Sequence, residues 1–125
     1  MKPEDLIAKK VAIAEKAIRD LVQSGDLKKL TAQAAEHIAQ FYESKSLNRL
    51  HTAKHIYAVS QHPQQSHLPI TYADYGESVA AAYYSMYYIV HAYLAALYQT
   101  KLREDLRGVH AITHHIVLYY LVQTK

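Results

Sequence analysis

Ile7, Val11, Ala14, Ile18, Leu21 and Val22 recur at the spacing of one helical face, with polar residues filling the gaps. This predicts a first helix over residues 4–24, with Gly25 as its stop, because glycine readily adopts the left-handed conformation that ends helices. The pattern resumes at Leu27 and runs through Leu30, Ala34, Ile38 and Phe41. Its phase slips near Ser44, and Leu50, Ala53, Tyr57 and Ser60 then continue it. Two helices, 27–43 and 46–60, or one kinked helix in their place, fit this stretch. From Gln61 to Thr71 the chain carries Pro63, Pro69 and a run of Gln, Ser and His, which predicts a loop without a regular element. Asp74, with Glu77 three residues later, reads as an N-cap and its capping-box partner, opening a helix that runs to about Thr100. A last helix is predicted from about Gly108 to Val122. No segment alternates with a period of two and no internal repeat is visible, so no strand is predicted. The expected fold class is all-α: one domain over residues 1–125, an antiparallel up-and-down bundle of four to five helices.

The helix from Asp74 carries two apolar stripes. Val79, Tyr83, Met86, Val90, Tyr93 and Leu97 form one; Tyr84, Tyr87, Tyr88, His91 and Tyr98 form the other. A helix apolar on two sides is expected to be buried nearly all round. A chain of 125 residues has few elements with which to enclose it, so the tyrosine-rich second stripe is a candidate homodimer surface, with an ordinary core helix as the alternative. Residues 78–100 hold no charged side chain, which raises the possibility of a membrane span. Six tyrosines between Tyr83 and Tyr98, with Ser85 and His91, would place polar groups at mid-bilayer depth, and the expectation is no membrane.

Composition narrows the picture further. Half of the residues are apolar, one fifth are charged, and three Gly and three Pro are spread over the whole length, as suits long helices. The absence of Cys removes disulfides, thiolate metal sites and a cysteine nucleophile. The N-terminal segment is amphipathic, with Lys9 and Lys10 inside it, and lacks the apolar core of a signal peptide, so a cytoplasmic location is expected. The formal charge of +3 permits contact with nucleic acid without the basic clustering of a dedicated binder. Between Lys54 and Lys101 there is no Lys or Arg, so a phosphate-binding surface must come from the first half or from Lys101, Arg103 and Arg107.

Arg103, Arg107, His110 and His114 follow one another at intervals of four, three and four, which a continuous helix would align on one face, although Gly108 interrupts the run. Guanidinium groups bind phosphate bidentately and imidazoles exchange protons near neutral pH, so this set is a candidate phosphodiester site. The alternative is that both arginines cap or solvate a helix start while the histidines pack at an interface. His51 with His55, and His110 with His114, have the i, i+4 spacing of a helical zinc chelate, but neither pair has a zinc-protease glutamate. A His-pair metal-binding protein is the minor reading; neither a metal nor a cofactor is expected. A Gly-rich phosphate loop and a hydrolase nucleophile signature are both absent.

The run Ala81-Ala82-Tyr83-Tyr84-Ser85-Met86-Tyr87-Tyr88 to Leu97, then Arg107-Gly108-Val109-His110 and Ile116-Val117-Leu118-Tyr119-Tyr120, resembles the last two main helices of HEPN domains, particularly archaeal-type ones. Residues 46–60 resemble the long helix that precedes them, so the likeness covers about residues 45–122, with the helices at 4–24 and 27–43 packing on it. The resemblance implies a helical, dimeric, nucleotide-linked module, often the partner of a minimal nucleotidyltransferase in toxin–antitoxin operons. Many HEPN proteins are metal-independent ribonucleases with an Arg followed, after four to six residues, by a His. Arg103 with His110 and Arg107 with His114 both have six residues between them, and both registers stay open. HEPN ribonucleases usually carry Asn, Asp or His directly after the Arg, where this chain has Glu104 or Gly108. The expected function is a HEPN-like module for nucleotide, RNA or partner-protein interaction. A ribonuclease toxin is the alternative, with His110 as general base and Arg103 stabilising charge on the phosphate. Lys101, Arg103, Arg107, His110 and His114 are the expected nucleotide- or RNA-binding residues.

Overall fold

In the computed structural model, which describes residues 2–122, the elements run α1 (Pro3–Ser24), β1 (Leu27–Lys29), α2 (Ala32–Gln61), a 3-10 turn (Pro63–Ser66), α3 (Tyr75–Tyr98), β2 (Thr100–Leu102), α4 (Val109–Ile116) and a π-helical stretch (Val117–Val122). The described chain is mostly helical, with four helices packed together, α2 and α3 antiparallel, and one small two-stranded sheet. It falls into two compact units: Met1–Ala39 with Tyr93–Lys125, and Gln40–Ala92. None of the described helices is long and apolar enough to cross a membrane.

In the first unit, α1 opens with Pro3 at its start and Glu4 and Asp5 in its first turn, where a fixed φ and negative charge both suit the unsatisfied amides. It ends as expected at Gly25, whose φ of 81° is left-handed and whose amide donates to the Val22 carbonyl. Ala14 and Ile18 of α1 are buried, and the helix packs on α4 and the π-helical stretch. Leu27, Leu94, Leu102 and Ile116 complete the core of this unit.

Residues 27–29 were expected to start a helix, and they form a strand instead. β1 pairs antiparallel with β2, with Leu27 opposite Leu102, Lys28 opposite Lys101 and Lys29 opposite Thr100. Leu27 and Leu102 are almost fully buried. Three residues are too few to show alternation, and the pairing is fixed by a partner about seventy positions away, which no local pattern reports. The ladder extends through Leu30 N–H to the Gln99 carbonyl at 2.7 Å and Arg103 N–H to the Asp26 carbonyl at 2.8 Å. Thr31 then caps α2, its hydroxyl accepting from the Ala34 amide at 3.2 Å. α2 continues without interruption to Gln61, so of the two readings for this stretch, a pair of helices or one kinked helix, a single helix forms, starting at Ala32.

The second unit is a helical hairpin. The seam between its helices is lined by small side chains, Ser46, Ala53 and Ser60 on α2 and Ser78, Ala81 and Ser85 on α3. Ser46 and Ser85 are cross-linked reciprocally: Ser46 Oγ donates to the Ser85 carbonyl at 2.7 Å and Ser85 Oγ to the Ser46 carbonyl at 2.8 Å. Ser78 Oγ donates to the Ala53 carbonyl at 2.8 Å. Such bonds satisfy buried hydroxyls and contribute about 1 kcal/mol each. The connection contains the 3-10 turn Pro63–Ser66, a regular element where none was expected. The N-cap at Asp74 is as predicted, with the Glu77 amide donating to Oδ1 at 3.3 Å. The Asp74 amide, which a capping box would give to Glu77, donates to Ser60 Oγ at 2.9 Å.

The expectation that α3 is buried nearly all round does not hold. Val79, Met86 and Leu97 are 70%, 67% and 62% exposed. The sequence pattern is misleading here because the buried side chains of α3 between Ser78 and Ser85 are Ser and Ala, while Val79, Tyr83 and Met86 stand on the flanks; the large buried residues, His91 and Leu94, come only further along the helix.

A basic ribbon face as candidate anion site

Side chains on a strand alternate between two faces, so Asp26, Lys28 and Leu30 share one face of the ribbon with Lys101 and Arg103. Leu27 and Leu102 occupy the opposite face and anchor it in the core of the first unit. The left-handed turn at Gly25 brings α1 to one end. The result is a cleft of about 620 Å³ lined by Ser24, Gly25, Asp26, Lys28, Leu30, Lys101 and Arg103. Three cations and one carboxylate give the lining a formal charge of two positive.

Two features of the cleft matter chemically. Lys28 and Lys101 stand directly opposite each other, a like-charge pairing that weakens a ribbon unless an anion lies between the ammonium groups. Arg103 is fixed in place: Nη1 bonds Asp26 Oδ1 at 3.2 Å, and Nη2 with Nε grip both oxygens of Asp105. The hydrogen bond and charge of Arg103 lower the pKa of the Asp105 carboxyl, and the Arg103 pKa is raised chiefly by Asp105, then by Asp26. Arg103 is thus a positioned charge at the rim, while Lys101 Nζ makes one long bond, to the Leu102 carbonyl at 3.4 Å.

The remaining predicted site residues are placed differently. Gly108 takes a left-handed φ of 74° and α4 starts after it, so Arg103, Arg107, His110 and His114 do not share one helical face. Arg103 follows β2, Arg107 lies in the turn, and His110 and His114 are exposed on α4. Among the described residues the Arg107 side chain has no ion pair. His115 is the histidine with a buried ring nitrogen, Nδ1, that lacks a hydrogen-bond partner among the described residues. His51 and His55 are exposed on α2, and no group of three or more His, Asp or Glu that could hold a metal ion occurs among the described residues.

The tyrosine stripe divides between the two units. In the second, His91 is 3% exposed and packs on Tyr42 and Tyr87, with ring centroids 5.6 and 4.6 Å away. Tyr88 stacks on Tyr42, Lys45 Nζ lies 4.9 Å from the Tyr88 ring, and Arg49 lies 5.8 Å from the Tyr84 ring. In the first, the half-buried Tyr98 donates its hydroxyl to the Tyr120 carbonyl at 2.9 Å. Its own carbonyl, at the end of α3, accepts from Lys29 Nζ at 3.1 Å and Thr100 Oγ1 at 2.7 Å.

The sequence pattern singles out Lys101 and Arg103, which line the cleft, and gives no sign of Lys28, which the ribbon pairing places opposite Lys101. No family model matches the chain, and neither a curated protein nor a solved structure is significantly similar to it.

Proposed function

We propose that the protein is a HEPN-like helical module that binds the phosphates of a nucleotide or of RNA on the basic face of its two-stranded ribbon. The observation that carries this reading is the placement of Lys28, Lys101 and Arg103 on one face, around one cleft, with the two lysines opposed. An ammonium pair with no intervening anion costs stability, and a bound phosphate turns that cost into affinity. The HEPN resemblance supports the nucleotide or RNA class. The β1 half of the cleft stands outside the stretch that carries it.

The test is calorimetric titration with ATP and, separately, with a short single-stranded RNA at two salt concentrations. Binding to the unmodified protein and its loss in Lys28→Ala/Lys101→Ala is the expected result. Each lysine that contacts an RNA phosphate contributes about 0.7 to the slope of log affinity against log salt, so single variants should flatten that slope by about this amount. Equal affinity in the double variant would remove the cleft as the site.

One observation bears on the ribonuclease alternative. Arg103 is committed to Asp26 and Asp105, whereas Arg107 has no ion pair among the described residues, which favours the register of Arg107 with His114. RNA cleavage in the presence of a chelator, abolished by His114→Ala and retained by His110→Ala, is the outcome that this register requires.

A further inference from the structure

The flanks of the α2–α3 hairpin differ in kind. In an antiparallel helix pair, positions one and four residues beyond the seam on each helix lie on the same side. Beyond Ser46 these are Leu47 and Leu50; beyond Ser85 they are Met86 and Ile89, and Val79 lies one heptad before Met86. Leu47, Val79 and Met86 are 52%, 70% and 67% exposed. The opposite flank is the aromatic one, where Lys45 and Arg49 already lie against Tyr88 and Tyr84.

The aliphatic flank is self-complementary. On α2 it reads Glu43, Leu47, Leu50, Lys54, at intervals of four, three and four. A twofold axis through the midpoint of Leu47 and Leu50 sets each leucine against the other leucine of a second copy. The same axis sets Glu43 against Lys54 at both ends. The Ser46–Ser85 and Ser78–Ala53 hydrogen bonds fix the level of the two helices. At that level the midpoint of Leu47 and Leu50 lies beside the midpoint of Val79 and Met86. One axis therefore serves both helices, pairing Val79 with Met86 of the second copy. Leu47, Leu50, Tyr57, Val79, Met86 and Ile89 together expose on the order of 600 Å² of mostly apolar surface, against about 800 Å² per partner in a standard interface. That is at the upper end of what a lone domain leaves uncovered.

We infer that this flank is the contact between two copies of the chain, which meet as an antiparallel four-helix arrangement with Glu43 of each facing Lys54 of the other. Light scattering on the full chain tests it. The unmodified protein should run at twice 14.3 kDa, and Leu47→Glu/Met86→Glu should run as a monomer with unchanged helical circular dichroism. Glu43→Lys and Lys54→Glu should each weaken the dimer about five- to tenfold, since each places like charges together at both ends of the interface. The double variant Glu43→Lys/Lys54→Glu should restore it, and this reciprocal rescue decides the matter even where the glutamate variant fails to fold. A monomeric unmodified protein, a dimer indifferent to the charge reversals, or a dimer that Tyr84→Glu dissociates while Leu47→Glu/Met86→Glu does not, would overturn the inference.

Discussion

The two units of this chain solve the burial problem in opposite ways. The first surrounds large side chains, Leu94, Leu102 and Ile116, with α1, α4 and a ribbon, and displays charge on its outer ribbon face. The second has two helices alone, closes most of its seam with serine and alanine, buries Tyr42 against His91 at one end, and leaves Val79 and Met86 in solvent. A unit that closes its own core has its polar surface available for ligand chemistry. A two-helix unit cannot enclose large residues on both flanks, and its apolar surplus is the surface we assign to contact with a second copy. The proposed site and the proposed interface each use what their unit has to spare.

The largest effect is expected at the ribbon anchor. Leu102→Ala removes a side chain that is 1% exposed and should cost about 2–5 kcal/mol in urea denaturation. It should also abolish anion binding, because the anchored face opposite the cleft is what holds Lys101 and Arg103 in register. Normal stability in that variant would mean the ribbon is peripheral to the first core. Next in size is Ala81→Leu in the hairpin seam, where a large residue forces helices held by the reciprocal serine bonds apart, for about 1–3 kcal/mol. If the variant were instead stabilised, the seam would be underpacked and the contrast between the units would weaken. The smallest effect is electrostatic. The Asp105 pKa is lowered by Arg103, so whatever stability the pair supplies is complete above the ordinary carboxylate range and is lost as pH falls through the lowered value. Both groups are exposed, so Asp105→Asn should cost little, and that small loss should be present at neutral pH and vanish as pH falls below the lowered value.

Legibility in the sequence followed the range of the interactions. The glycine stop at Gly25 and the cap at Asp74 were readable because their partners lie within three residues. The strands at Leu27 and Thr100 were not, since each is three residues long and is defined by the other. The single helix α2 was obscured because its seam carries Ser46, which a hydrophobic count treats as a gap although it is buried and hydrogen-bonded. In the candidate site, Lys101 and Arg103 stood out as the first cations after a long neutral stretch. Lys28 had no such mark until the ladder brought it opposite Lys101.

The outer face of the ribbon is the proposed seat of phosphate. Amide chemical shifts followed by NMR during titration with ATP test it most directly. Shift changes should concentrate at residues 24–30 and 99–103 and be absent in Lys28→Ala/Lys101→Ala. Changes confined to α4 around His110 and His114, with the ribbon unmoved, would contradict it.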